Sequence, residues 1–239
     1  MRKFIADVLS APPIARREAG RELTVTLIVS MGTFFVGPLI FSLAKTRSPF
    51  KTCHNIAVAL DRDEGGPFDR RIKRLGFATE GRDFEPITQS NFVDTLMPYI
   101  SADPKADRDA LIRKRSLLPP SDPEKQIFRQ MFIDDRDLEI ARTVSEYFYA
   151  VRERWPKAWD AKRRGQMLNR TNGVRALIRA LGHFYLQATV PGRVVMRDKF
   201  LPLLERVPLP DRAFNTEYFP PGTSGESKLR RILVGEEAP

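Results

Sequence analysis

Residues 50–76, "FKTCHNIAVALDRDEGGPFDRRIKRLG", decide how the chain is read. Cys53, Ile56, Ala57 and Leu60 recur at i, i+3, i+4 and i+7, which is one face of a helix. "DEGG" ends that helix, because glycine tolerates the left-handed conformation at a helix C-terminus. Pro67 then opens a second helix, with Phe68, Ile72 and Leu75 inward and Arg70, Arg71, Lys73 and Arg74 outward. Asp61 and Asp63 fall at positions 1 and 3 of a calcium loop, but the required position 12 is Ile72, so the calcium reading fails. Cys53 and His54 are neighbours, about 100° apart on a helix, and form no thiolate–imidazole dyad by themselves. Cys53 belongs to the core.

Towards the N-terminus, Leu23 to Ala44 contains no charged residue. As a helix it would extend about 33 Å, enough to cross a bilayer. Its composition argues for a different structure. Thr24 to Val29 is β-branched and reads as a buried strand. Gly37-Pro38 reads as a turn, and basic residues flank both ends, so charge gives no orientation. The segment is expected to be a buried strand and its continuation rather than an anchor.

Towards the C-terminus the pattern is helical. "TQSNFVDTLMPYIS" turns Phe92, Val93, Leu96, Met97 and Ile100 inward, with Thr88 or Ser90 as cap. The Pro-rich residues 102–126 read as an exposed connection. "DDRDLEIARTVSEYFYAVRERWPKAWD" is the clearest long helix, with Leu138, Ala141, Val144, Phe148, Val151 and Trp155 on one side and Pro156 at its end. "RTNGVRALIRALGHFYLQATV" is another, capped by Thr171 or Asn172. A shorter helix interrupted by Pro202 and a last short helix complete the chain. The expected class is mainly α with a small β element near the N-terminus (α+β), soluble and globular. Residues 1–40 form an N-terminal segment with one buried strand, and residues 41–239 a helical domain.

The 239 residues carry a net charge of +10, which favours acidic partners such as nucleic acid or an anionic surface. One cysteine and two histidines exclude a disulfide framework and a cysteine-based zinc site, and suit a reducing, cytoplasmic compartment. No signal sequence is read, no cofactor is implied, and no catalytic residue emerges.

Nine basic residues lie between Arg152 and Arg179, opposed only by Glu153 and Asp160. Arg163, Arg164, Arg170, Arg175 and Arg179 are the candidate nucleic-acid contacts, with Arg175 and Arg179 at i, i+4 on one helix face. Trp155, Trp159 and Tyr185 lie nearby in sequence. "PPGTSGESKLRRIL" runs a Gly/Ser loop into a helix, making Gly222, Ser224, Gly225 and Lys228 a candidate phosphate site, although the P-loop pattern is absent. Asp134, Asp135, Asp137 and Glu139 cluster at a helix start, where the dipole explains them without a metal.

Several ordered blocks carry a resemblance. "LAKTRSPFKTCHNIAVALDRDEGGPFDRRIKRLG", then "ITQSNFVDTLMPYIS", then "RTNGVRALIRALGHFY" resemble the DGQHR-domain proteins, bacterial relatives of DndB, a protein associated with DNA phosphorothioate modification. The resemblance covers roughly residues 41–233. The Asp-Gly-Gln-His-Arg signature that names the family is absent here, so a truncated or internally deleted member is expected. The resemblance implies a DNA-associated accessory or regulatory protein, with DNA and the proteins of a DNA-modification system as partners. A nucleotide-binding or hydrolysing enzyme remnant using the C-terminal loop, and a membrane-anchored protein using residues 23–44, are the alternatives.

Overall fold

The computed structural model describes residues 47–239, apart from 75–78, 83 and 163. The strand expected at Thr24–Val29, the 23–44 segment and Arg163 lie outside the described residues. Nine α-helices and one pair of strands are seen among the described residues, in the order α1 (Pro49–Arg62), β1 (Ile72–Lys73), β2 (Ile87–Thr88), α2 (Gln89–Leu96), α3 (Pro104–Ile112), α4 (Arg129–Ile133), α5 (Asp137–Arg154), α6 (Pro156–Trp159), α7 (Thr171–Ala188), α8 (Arg197–Glu205) and α9 (Thr223–Leu233). The class is mainly α with a small sheet, as expected. None of these helices is long and apolar enough to cross a membrane.

Helix α1 begins where the residue types dictate. The Ser48 hydroxyl accepts from the Lys51 N–H at 3.2 Å, and Pro49 occupies the first turn, where a missing N–H costs nothing. Cys53, Ile56, Ala57 and Leu60 are buried, as their spacing predicts. Burial pushes the Cys53 thiol well up, so it is inert packing. Thr88 caps α2 by accepting from the Asn91 N–H at 3.3 Å.

The second helix expected after Pro67 does not form. The chain makes turns to Arg71 and then a short strand, Ile72–Lys73, parallel to Ile87–Thr88 with Ile72 opposite Ile87 and Lys73 opposite Thr88. Two features prevent the helix. Arg70 sits at φ 54°, a left-handed conformation that breaks helical propagation. The Ile72 N–H donates to the Asp61 carboxylate at 2.9 Å, outside any helical ladder.

Asp61 is the hub of this corner. Its side chain is fully buried and accepts from Arg74 Nε at 3.0 Å and from Arg82 at 2.9 Å and 3.0 Å. Arg82 also reaches Glu85 at 3.2 Å. Burial alone would raise the Glu85 carboxyl, but hydrogen bonds from Thr79 and the Arg82 charge outweigh it and hold the group below its ordinary range. The hub fixes the strand pair against the end of α1.

Helices α5 and α7 supply the centre of the core. Tyr147 of α5 donates its hydroxyl to the Leu177 carbonyl of α7 at 3.0 Å and packs against the Phe184 ring, and α8 closes over α5 with Phe200, edge-on to Tyr147, and buried Leu204. Phe68 stands edge-on to Phe92, Phe148 and Trp159, joining the 67–71 turn to three helices. The Tyr99 hydroxyl enters the side of α7, donating to the Ile178 carbonyl at 2.9 Å and accepting from the Gly182 N–H at 3.1 Å. Burial pushes this phenol up to about 12. The expected connection 102–126 contains α3, capped by Asp103, and no residue of α3 is buried.

Candidate functional site

The basic run between Arg152 and Arg179 does not form the continuous face that the sequence suggests. Arg154 donates to the Leu204 carbonyl in the last turn of α8 and to the Val207 and Leu209 carbonyls just beyond it. Arg152 pairs with Asp160 at 3.2 Å, and Arg71 pairs with the same carboxylate at 2.8 Å. Arg170 lies over the Phe84 ring at 4.5 Å and donates to the Lys162 carbonyl. Trp155 and Trp159 are buried core, their indole N–H groups donating to the Leu209 and Pro67 carbonyls. Arg164 alone among the described candidates is exposed with no such engagement.

Arg175 and Arg179 share a helix face, but Glu226 of α9 is their partner. Its carboxylate is almost fully buried and lies 3.2 Å from Arg175 Nε and 2.7 Å from Arg179. The opposing charge missing from the local sequence is thus supplied by a distant helix. Both arginines line a groove of about 790 Å³ with Tyr99, Lys125, His183 and Arg230, but Asp94, Asp122 and Glu124 line it too. Burial, then the Arg230 charge, lowers the His183 imidazole, which is neutral at pH 7. The groove therefore has no dominant sign.

The C-terminal loop carries the other four candidate residues. Lys228 donates to the Tyr218 carbonyl at 3.2 Å and lies 3.8 Å from the centre of that residue's ring, so its charge is directed back at the protein. Gly225 is buried, and a Cβ there would lie 2.0 Å from the Pro220 carbonyl oxygen, so the join requires glycine. Gly222 holds φ 94° as the N-cap, and Ser224 is exposed and does not cap α9. Of these four residues, Gly225 and Lys228 are engaged in the loop-to-helix join. The Asp134–Glu139 cluster is likewise satisfied: Asp135 and Asp137 pair with Arg47 at 2.7 Å and 2.8 Å, and Glu139 pairs with Arg136.

The site that the sequence did not reveal lies at the starts of α1 and α2. Strand pairing sets Lys73 beside Thr88, and the packing of α1 against α2 brings Ser48, Phe50, Lys51 and His54 to the same place. The result is a cleft of about 700 Å³, lined also by Arg74, Gln89, Ser90, Val93 and Asp94. Its charged rim is Lys51, Lys73 and Arg74 against the single carboxylate of Asp94. Arg74 is already anchored to Asp61. The Ser48, Thr88 and Ser90 hydroxyls add donors, and the first-turn N–H groups of Phe50 and Ser90 have no intrahelical acceptor. Such a set can bind a phosphate.

No family model, no curated protein and no solved structure matches the chain.

Proposed function

We propose that the protein is a DNA-associated accessory or regulatory protein of the DGQHR/DndB kind that holds backbone phosphate in the cleft between the starts of α1 and α2. The observation that carries the reading is the convergence of Lys51, Lys73 and Arg74 with three hydroxyls on one cleft that has a single carboxylate. Lysine supplies a mobile point charge for phosphate, hydroxyls add hydrogen bonds, and helix starts favour anions. The net charge of +10 adds long-range attraction to a polyanion. The ordered blocks that resemble the DGQHR group include both cleft helices, "SPFKTCHN" and "ITQSNFV".

Arg175 and Arg179 remain partly exposed, with Arg179 48% exposed, and can flank a bound strand, although Glu226 offsets them. The enzyme alternative gains no support, because Lys228 and Gly225 are engaged in packing. The test is anisotropy of labelled DNA with wild-type protein and with the double variant Lys51→Gln/Lys73→Gln at low salt. The reading expects at least a tenfold weaker complex for the variant, with an unchanged melting midpoint. Equal affinity overturns it.

A further inference from the structure

The connection between α3 and α4 carries a charged feature outside the cleft. Helix α3 ends at Ile112, and Arg113, Lys114 and Arg115 follow it. All three are exposed, and no ion pair or side-chain hydrogen bond joins them to a described residue. Cations complement a helix C-terminus, which accounts for charge here. It does not account for the aliphatic neighbours. Ile112 is 58% exposed and Leu118 is 77% exposed, the most of any large hydrophobic side chain among the described residues.

The segment is held in place. Arg129 of α4 is buried and clamps both of its ends, donating to the Asp107 carboxylate of α3 at 2.9 Å and to the Leu118 carbonyl at 2.8 Å and 3.0 Å. The Lys114 and Arg115 N–H groups close the end of α3 on the Leu111 and Ala110 carbonyls at 3.1 Å and 2.8 Å. That closure puts Lys114 at φ 54°, a left-handed position that glycine usually fills. The tip is therefore preformed, and binding through it orders little chain.

The chemistry of the tip selects its partner. Three unpaired cations attract a dense anionic surface. DNA phosphate gives Ile112 and Leu118 nothing apolar to meet. A folded acidic protein would need a pocket shaped to two fixed side chains. An anionic bilayer meets both needs without fixed geometry, because it is fluid: headgroup phosphates face the cations, and the acyl boundary beneath takes the aliphatics. We propose that residues 112–118 dock the protein on an anionic membrane surface, with Arg113, Lys114 and Arg115 among the headgroups and Ile112 and Leu118 at the acyl boundary. The contact is peripheral and reversible, since two aliphatic side chains bury far less than a spanning helix. It is independent of the cleft.

The experiment is co-sedimentation of the full chain with phosphatidylcholine vesicles containing about 30% phosphatidylglycerol, beside vesicles of phosphatidylcholine alone. The tip variants are Arg113→Gln/Lys114→Gln/Arg115→Gln and Ile112→Ser/Leu118→Ser. A comparison variant, Lys157→Gln/Lys162→Gln/Arg164→Gln, removes the same charge from exposed residues elsewhere. All the replaced residues are exposed, so the fold is kept, and an unchanged melting curve checks this. Each cation near an anionic surface contributes roughly fivefold to binding. The expected result is tighter binding to the anionic vesicles that weakens with salt, a loss of at least about tenfold for each tip variant, and a loss under about threefold for the comparison variant. Vesicle binding that both tip variants leave intact belongs to another part of the chain and overturns the proposal. Equal losses for the tip and comparison cations overturn it in favour of net charge alone. A loss from the cation variant with none from Ile112→Ser/Leu118→Ser overturns the acyl contact. Absence of binding to anionic vesicles, with DNA binding weakened by the cation variant, overturns it in favour of a nucleic-acid contact.

Discussion

Replacing Asp61 with asparagine tests the corner that holds the cleft. Asn keeps the size and one acceptor for the Ile72 N–H, so the change removes charge rather than volume. Asp61 is fully buried and faces Arg74, which is 31% exposed, and Arg82, which is 9% exposed. Removing one partner of a buried ion pair costs about 3–5 kcal/mol. Two features put Asp61→Asn at the low end. Arg74 can rehydrate, and Arg82 keeps Glu85. The expected loss is about 3 kcal/mol, and at a slope of about 2 kcal/mol per molar urea the midpoint falls by about 1.5 M. Urea unfolding followed by tryptophan fluorescence reads this directly, since Trp155 and Trp159 are buried. A cycle with Arg82→Met should show coupling of about 1–3 kcal/mol. A midpoint shift under about 0.5 M, with additive effects in the cycle, would refute the hub.

Other consequences follow from the same contacts. Gly182→Ala should destabilise by about 1–3 kcal/mol in urea unfolding, because its Cβ would lie 2.9 Å from the Tyr99 ring; stabilisation, the usual sign for Gly→Ala inside a helix, would contradict the packing. Asp63 has a carboxyl raised mainly by burial, tempered by the Tyr149 hydrogen bond. A raised folded value means that its contribution is full below the ordinary aspartate range and is lost as pH rises through the folded value. Asp63→Asn should therefore gain stability relative to wild type as pH rises from the ordinary aspartate range, and a pH-independent difference in melting midpoint would rule this out. Arg175→Glu/Arg179→Glu sets new carboxylates against buried Glu226 and should lower the melting midpoint by about 5–10 °C, while exposed Arg164→Glu leaves it unchanged; equal midpoints would deny the Glu226 anchor a structural role.

The elements that sequence made legible are those with strong helical periodicity. Helices α1, α2, α5 and α7 stand where their apolar spacings place them, and Cys53 lies in the core. Details set by distant partners were not legible. The helix expected after Pro67 fails because Asp61 and a left-handed Arg70 intervene, and neither effect appears in apolar spacing. Thr171 or Asn172 is the expected cap of α7, but no side chain caps it, and the Thr171 hydroxyl donates to the Pro86 carbonyl instead. Leu138 fits the apolar stripe of α5 yet is 39% exposed, because the inward face is shifted to Ile140 and Tyr147. The candidate site shows the same limit. A local count of charges left Arg175 and Arg179 unopposed, since Glu226 lies far along the chain. The cleft was hidden for the converse reason: Lys51, Lys73 and Thr88 look ordinary until a two-residue strand pair and a helix contact bring them together.

The most direct measurement is the salt dependence of single-stranded DNA binding, for wild-type protein and for Lys51→Gln/Lys73→Gln. Each phosphate neutralised on a single strand contributes about −0.7 to the slope of log K against log salt. The account predicts a saturable wild-type complex with a clearly negative slope, and a variant slope shallower by about 1.4, corresponding to two lost contacts. A variant that binds with the wild-type slope and affinity would contradict the assignment of phosphate to this cleft.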